Sequence, residues 1–325
     1  MSHPELSVLL SVYNSSKHLT QCLDSILDQT FRDFELLVTD DASTDDTLPI
    51  LEAYAQKDPR IRITRNPTNT GLTASLISAS RSAKGAFLAR HDADDCSEPD
   101  RFLRQIEFLK AAPAIGVLGC SYHLINENGE PLGTRQLKYF RHNIRNVLKK
   151  RNVFAHGSLM LRTDAYRQTG GYRPEFTFAQ DYDLLLRLST TWQIDFLDEP
   201  LYHLRLSKNS ISASKTALQD YYAQLARKCH HRRRTHADDA PILLGLKTQG
   251  PQSDLFSPRS SERHLLNHAV HLTQLGRMSE ARDVLRSVQT TNRTFRWTLL
   301  LISTFLPCRL LGTLYALKWR METVL

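Results

Sequence analysis

Cysteine is scarce in this chain, and the few cysteines are scattered. The 325 residues include five, an odd number, and no CxxC pair occurs. Disulfide frameworks and zinc ribbons need closely spaced cysteines, so the sequence indicates neither of them. Cys229 stands beside two histidines but lacks the separated ligand spacing of a zinc site. We expect Cys22 and Cys120 to be core residues.

Long hydrophobic runs are also lacking. The first run, Leu6–Val12, has the length of one strand and follows no basic leader, so we expect the first domain to stay in the cytoplasm. In the C-terminal stretch 297–317, 12 uncharged residues precede Arg309, fewer than the roughly 20 that span a bilayer. Basic flanks favour a helix in the membrane interface over a packed helix or a true span.

Negative charge is scarce outside the first hundred residues. The net charge is −7 over residues 1–100 and +15 over residues 101–325. Such a basic region indicates either an anionic partner or a solvated face. Its densest cluster, RKCHHRRR at 227–234, has no interleaved aromatic residues that would stack on bases. We therefore expect no nucleic-acid partner and favour an anionic membrane surface, on which the protein would be peripheral.

Apolar runs suited to buried strands alternate with segments of helical periodicity in residues 1–215. Strands are predicted at 6–12, 34–38, 61–65, 86–89, 115–120, 158–161 and 192–197. This alternation is typical of an α/β fold, with a mostly parallel sheet and helices on both faces. A helical C-terminal region is expected to follow, with a basic helix and linker at 216–260 and an amphipathic, helical part at 261–325.

Three of the predicted strands end in polar clusters. Tyr13 and Asn14 follow the first strand, Asp40 and Asp41 follow the second, and the residues 92–95 follow the fourth. Ligands of open parallel sheets bind beyond the carboxyl ends of the strands. We therefore expect the three clusters to converge on one edge of the sheet and to form a binding site.

The cluster at 92–95 contains three aspartates, and it is either a patch of repelling charges or a cation site. Asp92 and Asp94 straddle one residue, and Asp95 follows directly. Two carboxylates at this spacing bind Mg²⁺ or Mn²⁺ without filling the coordination shell, which leaves room for diphosphate oxygens. A cation held there would neutralise a leaving nucleotide. The position directly after a predicted strand favours the cation site.

Two further aspartates each permit two interpretations. Asp41 either caps the next helix or accepts the N3–H of a uracil or thymine base. Asp181 stands at the start of a predicted helix, where a carboxylate is favoured by the helix dipole. It also suits a general base that takes a proton from an attacking hydroxyl group.

Eight motifs, in one order over roughly residues 6–212, resemble those of the family 2 inverting glycosyltransferases, which have the glycosyltransferase A-type fold. They are SVLLSVYN (7–14), DDASTDDT (40–47), NPTNTG (66–71), FLARHDADD (87–95), HGSLMLR (156–162), GGYR (170–173), QDYDLLLRL (180–188) and RLSKNSIS (205–212). Several motifs in a fixed order are more specific than any single one. The resemblance implies that 1–215 is a catalytic domain for a nucleotide-diphospho-sugar, with UDP as the expected nucleotide.

The resemblance also implies a role for each matching residue. Ser11 and Tyr13 would line the base pocket, and Asp41 would hold the base. Asp92 and Asp94 would bind the metal ion, Mg²⁺ or Mn²⁺. The remaining roles are a diphosphate contact for Asp95, a second diphosphate contact for Arg205, and the general base for Asp181.

Three positions depart from the family pattern. Gln180 replaces the usual glutamate, Ala42 replaces the usual glycine, and Ser207 stands where a histidine usually follows Arg205. The QxxRW signature of processive synthases is absent, which favours transfer of a single sugar. By resemblance, the acceptor is a saccharide or lipid-linked molecule in cell-surface polysaccharide biosynthesis.

Two other functions compete with this interpretation. Sugar-1-phosphate nucleotidyltransferases need a glycine-rich loop directly after the first strand, but this chain has YNSSK at 13–17. A catalytically inactive, membrane-associated adaptor with the same fold would be marked by the loss of the DxD motif or of the base. Both are present here, which favours the enzyme.

Overall fold

The computed structural model describes residues 3–141, 143–206 and 216–249, together with single positions at 278, 281 and 282. Apart from those positions, the predicted helical region at 261–325 lies outside the described residues. So do Ser207 and the rest of the predicted tail motif up to residue 212.

Nine strands, nine α-helices and two 3-10 helices (Leu137–Phe140 and His156–Ser158) have both ends in the described part of the chain. The strands are β1 (Leu6–Val12), β2 (Phe34–Asp40), β3 (Ile61–Arg65), β4 (Phe87–His91), β5 (Cys96–Ser97), β6 (Ile115–Ile125), β7 (Pro131–Arg135), β8 (Met160–Arg162) and β9 (Gln193–Arg205). The helices are α1 (Ser16–Leu27), α2 (Thr47–Ala55), α3 (Leu72–Ser82), α4 (Arg101–Ala111), α5 (Ile144–Lys150), α6 (Thr163–Gln168), α7 (Gln180–Thr191), α8 (Thr216–Arg234) and α9 (Ala240–Gln249).

The strands form one sheet in the order β3-β2-β1-β4-β8-β6-β9-β5, with β7 paired to β6. Strands β1 to β4 are all parallel, as the alternation of strands and helices predicts. Antiparallel pairs join β8 to β4 and β6, and β5 to β9. The predicted α/β fold with a mostly parallel sheet is confirmed, and its second half is mixed.

The central strand β1 is buried on both faces, because helices cover both sides of the sheet. Its even-numbered residues, from Leu6 to Val12, belong to a core shared with α1 and α4, whereas Leu9 belongs to a core shared with α3 and α7. Successive side chains of a strand point to opposite faces, so one apolar run supplies both cores. This accounts for the continuous hydrophobic character of LSVLLSV.

Four strands are longer than their apolar runs predict. β2 continues to Asp40, and β4 continues through the buried residues Arg90 and His91, although the predicted strands end at 38 and 89. β6 and β9 extend beside each other to Ile125 and Arg205, well past the predicted ends at 120 and 197. Polar residues interrupt these extensions, so hydrophobicity alone did not mark them as strand.

The basic helix α8 packs against α7. Its apolar residues Tyr222, Leu225 and Cys229 lie in the same core as the buried leucines of α7. Cys229 and His230 are buried, so only part of the cluster at 227–234 can face solvent or a lipid surface. The helix α9 also lies within the segment predicted as a basic helix and linker, 216–260. No helix in the described ranges has the length and apolar character needed to cross a membrane.

Candidate active site

Strands β2, β1 and β4 are neighbours and run parallel, so their carboxyl ends lie at one edge of the sheet. Tyr13, Asp41 and the aspartates at 92–95 follow these ends directly. The expected convergence of the three polar clusters therefore matches the topology. We refer to this edge as the carboxyl edge and to residues 92–95 as the aspartate loop.

Ser11 and Tyr13 lie at the end of β1. Ser11 is half-buried and pairs with Thr39 of β2, whereas Tyr13 is 48% exposed. Asn14 follows in a left-handed conformation with φ 47°, and its side-chain oxygen accepts a hydrogen bond from the Thr44 amide at 2.8 Å. The turn is thus fixed while the tyrosine ring stays open to solvent. Such a ring offers an apolar face on which a flat base can stack.

Asp41 is buried and accepts four hydrogen bonds from one loop. Its Oδ1 accepts from the Asn66 side-chain amide (2.6 Å) and from the Thr70 backbone amide (2.9 Å) and hydroxyl (3.0 Å). Its Oδ2 accepts from the Gly71 amide (2.7 Å). Burial alone would raise the pKa of Asp41, but these donors outweigh it and hold the pKa below its usual range. Asp41 therefore stays ionised and secures the start of α3.

Asp92 and Asp94 differ in how far the protein compensates their negative charge. Oδ1 of Asp92 accepts a hydrogen bond from the Arg90 guanidinium at 2.6 Å. Burial, and then the charge of Asp92, raise the pKa of Asp94 to about 6. Within the described residues, no side chain donates a hydrogen bond to the Asp94 carboxylate, and the Arg205 guanidinium donates to its backbone carbonyl instead. Burial is the larger cause of this rise, and the contribution of Asp92 means that the two carboxylates form a pair whose charges repel.

Such a pair fits a divalent cation, because Mg²⁺ and Mn²⁺ prefer carboxylate oxygens. Among the described residues, no group of three or more His, Cys, Asp and Glu side chains is arranged to hold a metal ion. The two aspartates would therefore supply part of the coordination shell. Oxygens of a diphosphate and of water would have to complete it.

Asp95 points into the protein and braces the aspartate loop against β9. Its Oδ1 accepts from the Arg205 backbone amide and its Oδ2 from the Tyr202 hydroxyl, both at 2.7 Å. The Arg205 guanidinium donates to the Asp94 carbonyl (2.7 Å), to Gln21 (2.9 Å) and to two carbonyls of the β6–β7 turn (3.1 Å). The polar groups of both residues are thus bonded to protein. Their contact with a donor stays a prediction.

Gly157 brings a second segment against the aspartate loop. A Cβ atom at this position would lie 1.8 Å from the Tyr202 hydroxyl and 2.8 Å from Oδ2 of Asp92. No side chain can be accommodated at these distances, so the close approach requires glycine. This contact is the structural reason for the glycine in the HGSLMLR motif.

Arg90 is a site residue that the sequence analysis missed. Its side chain is 2% exposed, and its Nε and Nη1 atoms have no hydrogen-bond partner among the described residues. Burial, and then the charge of Arg90, lower the pKa of His156 well below its usual range. The neutral His156 ring bonds the Tyr172 hydroxyl at 2.7 Å. The signal available in the sequence was a basic residue between the predicted buried strand at 86–89 and the DxD motif.

Asp181 lies in the first turn of α7, as predicted. Its Oδ2 accepts a hydrogen bond from the Asn152 side-chain amide at 2.7 Å. Burial raises the pKa of Asp181 to about 6, and the charge of Asp92 adds to the rise while Arg90 opposes it. The carboxylate is therefore within electrostatic reach of the aspartate loop. The next acidic residue on α7, Asp183, is buried and paired with Arg187 at 2.8 Å, which commits it to structure.

Asn152 and Tyr202 were also missed, and neither had a local signal. Asn152 lies in a segment without clear periodicity, and Tyr202 lies in the polar extension of β9. Their partners, Asp181 and Asp95, are 29 and 107 positions away along the chain. Contacts at such separations follow from the fold and leave no pattern in a short window of sequence.

Similarity to known proteins agrees with this architecture. The family model for glycosyl transferase family 2 matches residues 7–170, about half of the chain. EpsE of Bacillus subtilis is 36% identical over 208 residues, which cover 63% of this chain and 74% of EpsE. The O-antigen biosynthesis glycosyltransferase WbnJ of Escherichia coli is 34% identical over 221 residues, which cover 65% of this chain and 84% of WbnJ.

A solved structure shares the fold at low sequence identity. The mannosyltransferase PcManGT from Pyrobaculum calidifontis, in complex with GDP-Man and Mn²⁺, superposes with a TM-score of 0.58 at 17% identity. The match covers 100% of this chain and 87% of PcManGT. With the family match across its first half and these relatives, the chain belongs to glycosyl transferase family 2 and is a glycosyltransferase.

Proposed function

We propose that this enzyme transfers a single sugar, with inversion, from a nucleotide-diphosphate donor to a saccharide or lipid-linked acceptor. The observation that carries the proposal is the carboxyl edge. There an exposed aromatic ring, an ionised aspartate and the neighbouring aspartates Asp92 and Asp94 follow adjacent strand ends. A role in cell-surface polysaccharide biosynthesis is supported by the similarity to WbnJ, which is named for O-antigen biosynthesis.

The donor base is proposed to bind at the ends of β1 and β2, with UDP as the nucleotide. Tyr13 stacks on the base, and Ser11 lines the pocket beside it. Asp41 accepts the N3–H of uracil. Its low pKa supports this role, because the carboxylate stays ionised and its Oδ2 accepts a single bond, from the Gly71 amide, which leaves capacity for a second donor on that oxygen.

The diphosphate is proposed to bind at the aspartate loop through Mg²⁺ or Mn²⁺ held by Asp92 and Asp94. When bound, the cation neutralises the charge that develops on the departing nucleotide. The Mn²⁺ and GDP-Man bound to PcManGT support this part of the proposal. Arg90 holds Asp92 from the protein side, and Asp95 and Arg205 keep the loop against β9.

Asp181 is proposed as the general base. It takes the proton of the acceptor hydroxyl as that oxygen attacks the anomeric carbon from the face opposite the nucleotide, which inverts the configuration. A pKa of about 6 leaves Asp181 mostly ionised at pH 7 and makes it a stronger base than an ordinary aspartate. Replacement of a general base typically lowers the rate by about 10²–10⁴-fold.

A nucleotide-release assay with the full chain tests the reaction. Across UDP-, GDP- and dTDP-sugars we expect turnover with a UDP-sugar, loss of turnover in excess chelator, and recovery with Mn²⁺ or Mg²⁺. Full activity in chelator would contradict the metal site. Failure of every donor to release nucleotide, in protein that still binds anionic vesicles, would support the inactive adaptor instead.

We also propose that the enzyme is cytoplasmic and peripheral on the inner face of the cell membrane. The basic C-terminal part of the chain and the stretch 297–317, which lies outside the described residues, motivate this. In the proposed organisation, catalytic residues 1–215 precede a basic helix and linker at 216–260 and the membrane-associated region at 261–325.

Flotation with liposomes tests the attachment. The full chain should float with anionic vesicles, and high salt should release only part of it, because apolar contacts resist salt. A chain truncated after residue 290 should stay at the bottom of the gradient. If the full chain ignores anionic vesicles, the stretch 297–317 is not a membrane anchor.

A further inference from the structure

Asn152 makes two hydrogen bonds that fix the orientation of its side-chain amide. Its Oδ1 accepts from the backbone N–H of Phe154 at 3.0 Å, and its Nδ2 donates to Oδ2 of Asp181 at 2.7 Å. An N–H donor on one side demands the oxygen there, so the amide nitrogen must face the carboxylate. The segment at 152–154 thus presents a fixed donor to α7.

We propose that Asn152 is a positioning residue for Asp181, which it holds by one oxygen so that the other faces the acceptor hydroxyl. This inference rests on the proposed function of Asp181 as the general base. Among the described residues, no other side chain donates a hydrogen bond to this carboxylate. Backbone N–H groups of the first turn of α7 also donate to the carboxylate, so Asn152 is its donor from outside the helix and restrains its rotation from that side.

The surroundings of Asp181 make such a restraint necessary. The charge of Asp92 repels the carboxylate and that of Arg90 attracts it. Tyr172 is also within electrostatic range of Asp181. α7 itself begins directly after Ala179, which has a left-handed conformation with φ 51°. The Asn152 amide adds a donor at a fixed place on a second segment, which opposes movement of the carboxylate toward the guanidinium.

The choice of an amide rather than a cation also suits a base. Asp183, two residues further along α7, is held by the Arg187 guanidinium at 2.8 Å. An adjacent cation stabilises the ionised form of a carboxylate strongly and so weakens its basicity. A neutral amide orients a carboxylate with a smaller loss of basicity. The two aspartates of one helix thus have partners that match their different roles.

The test is a double-mutant cycle on Asn152→Ala and Asp181→Asn, with kcat, the KM of each substrate and the melting temperature measured for every variant. A misplaced catalytic group costs up to about 100-fold, so N152A should lower kcat by about 10–100-fold and leave donor KM unchanged. In the D181N background, N152A should change kcat by less than about twofold, because there is no base left to position. The matched control is Asn146→Ala, an exposed asparagine of α5 that bonds Lys149.

A swapped variant, N152D/D181N, separates positioning from stability. It restores an amide-to-carboxylate hydrogen bond between the two side chains, so its melting temperature should return toward the parent value. Its kcat should stay at the level of D181N, since the carboxylate is now on the wrong segment. Recovery of kcat in the swap would mean that the pair serves only to hold the segments together, which overturns the proposal.

The remaining outcomes are also distinguishable. If D181N is slow but N152A has the parent kcat, the positioning role is wrong and the base assignment stands. The same conclusion holds if adding N152A to D181N lowers kcat by the same factor as adding N152A to the parent. If D181N transfers sugar at the parent rate, both the base assignment and the positioning role fail. In that case the nucleotide-release assay still reports whether the chain is a transferase.

Discussion

Asp41 and Asp94 follow β2 and β4, the two strands that flank β1, and yet the pKa values of their carboxyl groups are shifted in opposite directions. Asp41 accepts four hydrogen bonds from the loop before α3, and its pKa is held below the usual range. The pKa of Asp94 is raised to about 6 by burial and by Asp92. The difference shows how one residue type serves two purposes at one edge. A carboxylate with several protein donors is held ionised and in place, whereas one without side-chain donors keeps both oxygens for a cation.

The largest expected effect is on activity at Asp94. Asp94→Asn removes a proposed metal ligand, and a bound cation supplies several kcal/mol of transition-state stabilisation, so kcat/KM should fall by about 100-fold or more. Titration with Mn²⁺ should show weaker metal dependence in the same variant. Asp46→Asn, at an exposed aspartate that makes no side-chain capping bond, is the control and should keep the parent rate. Equal activity in both variants would remove Asp94 from the metal site.

The next effect is the pH dependence of transfer. Asp181 and Asp94 must both be ionised, and both pKa values are raised to about 6. Protonation therefore removes activity as the pH falls through 6. We expect kcat/KM to be level above pH 7 and to fall at least about tenfold per unit below pH 6. Saturating Mn²⁺ should remove the contribution of Asp94, because a metal competes with its proton. A profile that is flat down to pH 5 is incompatible with both assignments.

The smallest expected effect is on stability, and it should reverse the order of the two aspartates. Hydrogen bonds to a charged group contribute about 1.5–3 kcal/mol, so Asp41→Asn should lower the free energy of unfolding by about 2 kcal/mol. In metal-free buffer at pH 7, Asp94→Asn should not lower the melting temperature. The folded-state pKa of Asp94 is above its ordinary value, so its ionised form opposes folding as the pH rises toward 6.

Thermal unfolding of the two variants checks this comparison. A drop at Asp41 of several degrees beside no drop at Asp94 would confirm that donors separate the two carboxylates. A drop of the same size in both would mean that Asp94 has a structural partner. Metal ion should raise the melting temperature of the parent and of Asp41→Asn, but not that of Asp94→Asn.

Ala42, which directly follows Asp41, illustrates what a departure from the family pattern means physically. It takes the place of the usual glycine and has a left-handed conformation with φ 63°. A Cβ atom makes this conformation unfavourable, which accounts for the glycine usually found there. Here the chain keeps the same turn with alanine. The sequence reported the substitution, and the backbone explains it.

The sequence by itself determined the alternation of strands and helices from β1 to β4 and the edge of the sheet at which a site is expected, but not the short strands β5 and β7. Apolar runs carry the period of the elements, and parallel strands place their carboxyl ends together. Motifs then predicted roles for Asp41, Asp92, Asp94 and Asp181. Only the tertiary structure decided which aspartates have their own donors. The donors to Asp41 come from 25 to 30 positions away and those to Asp95 from 107 and 110. Burial and hydrogen bonding at such separations set the pKa of each carboxylate, and no local pattern in the chain contains them.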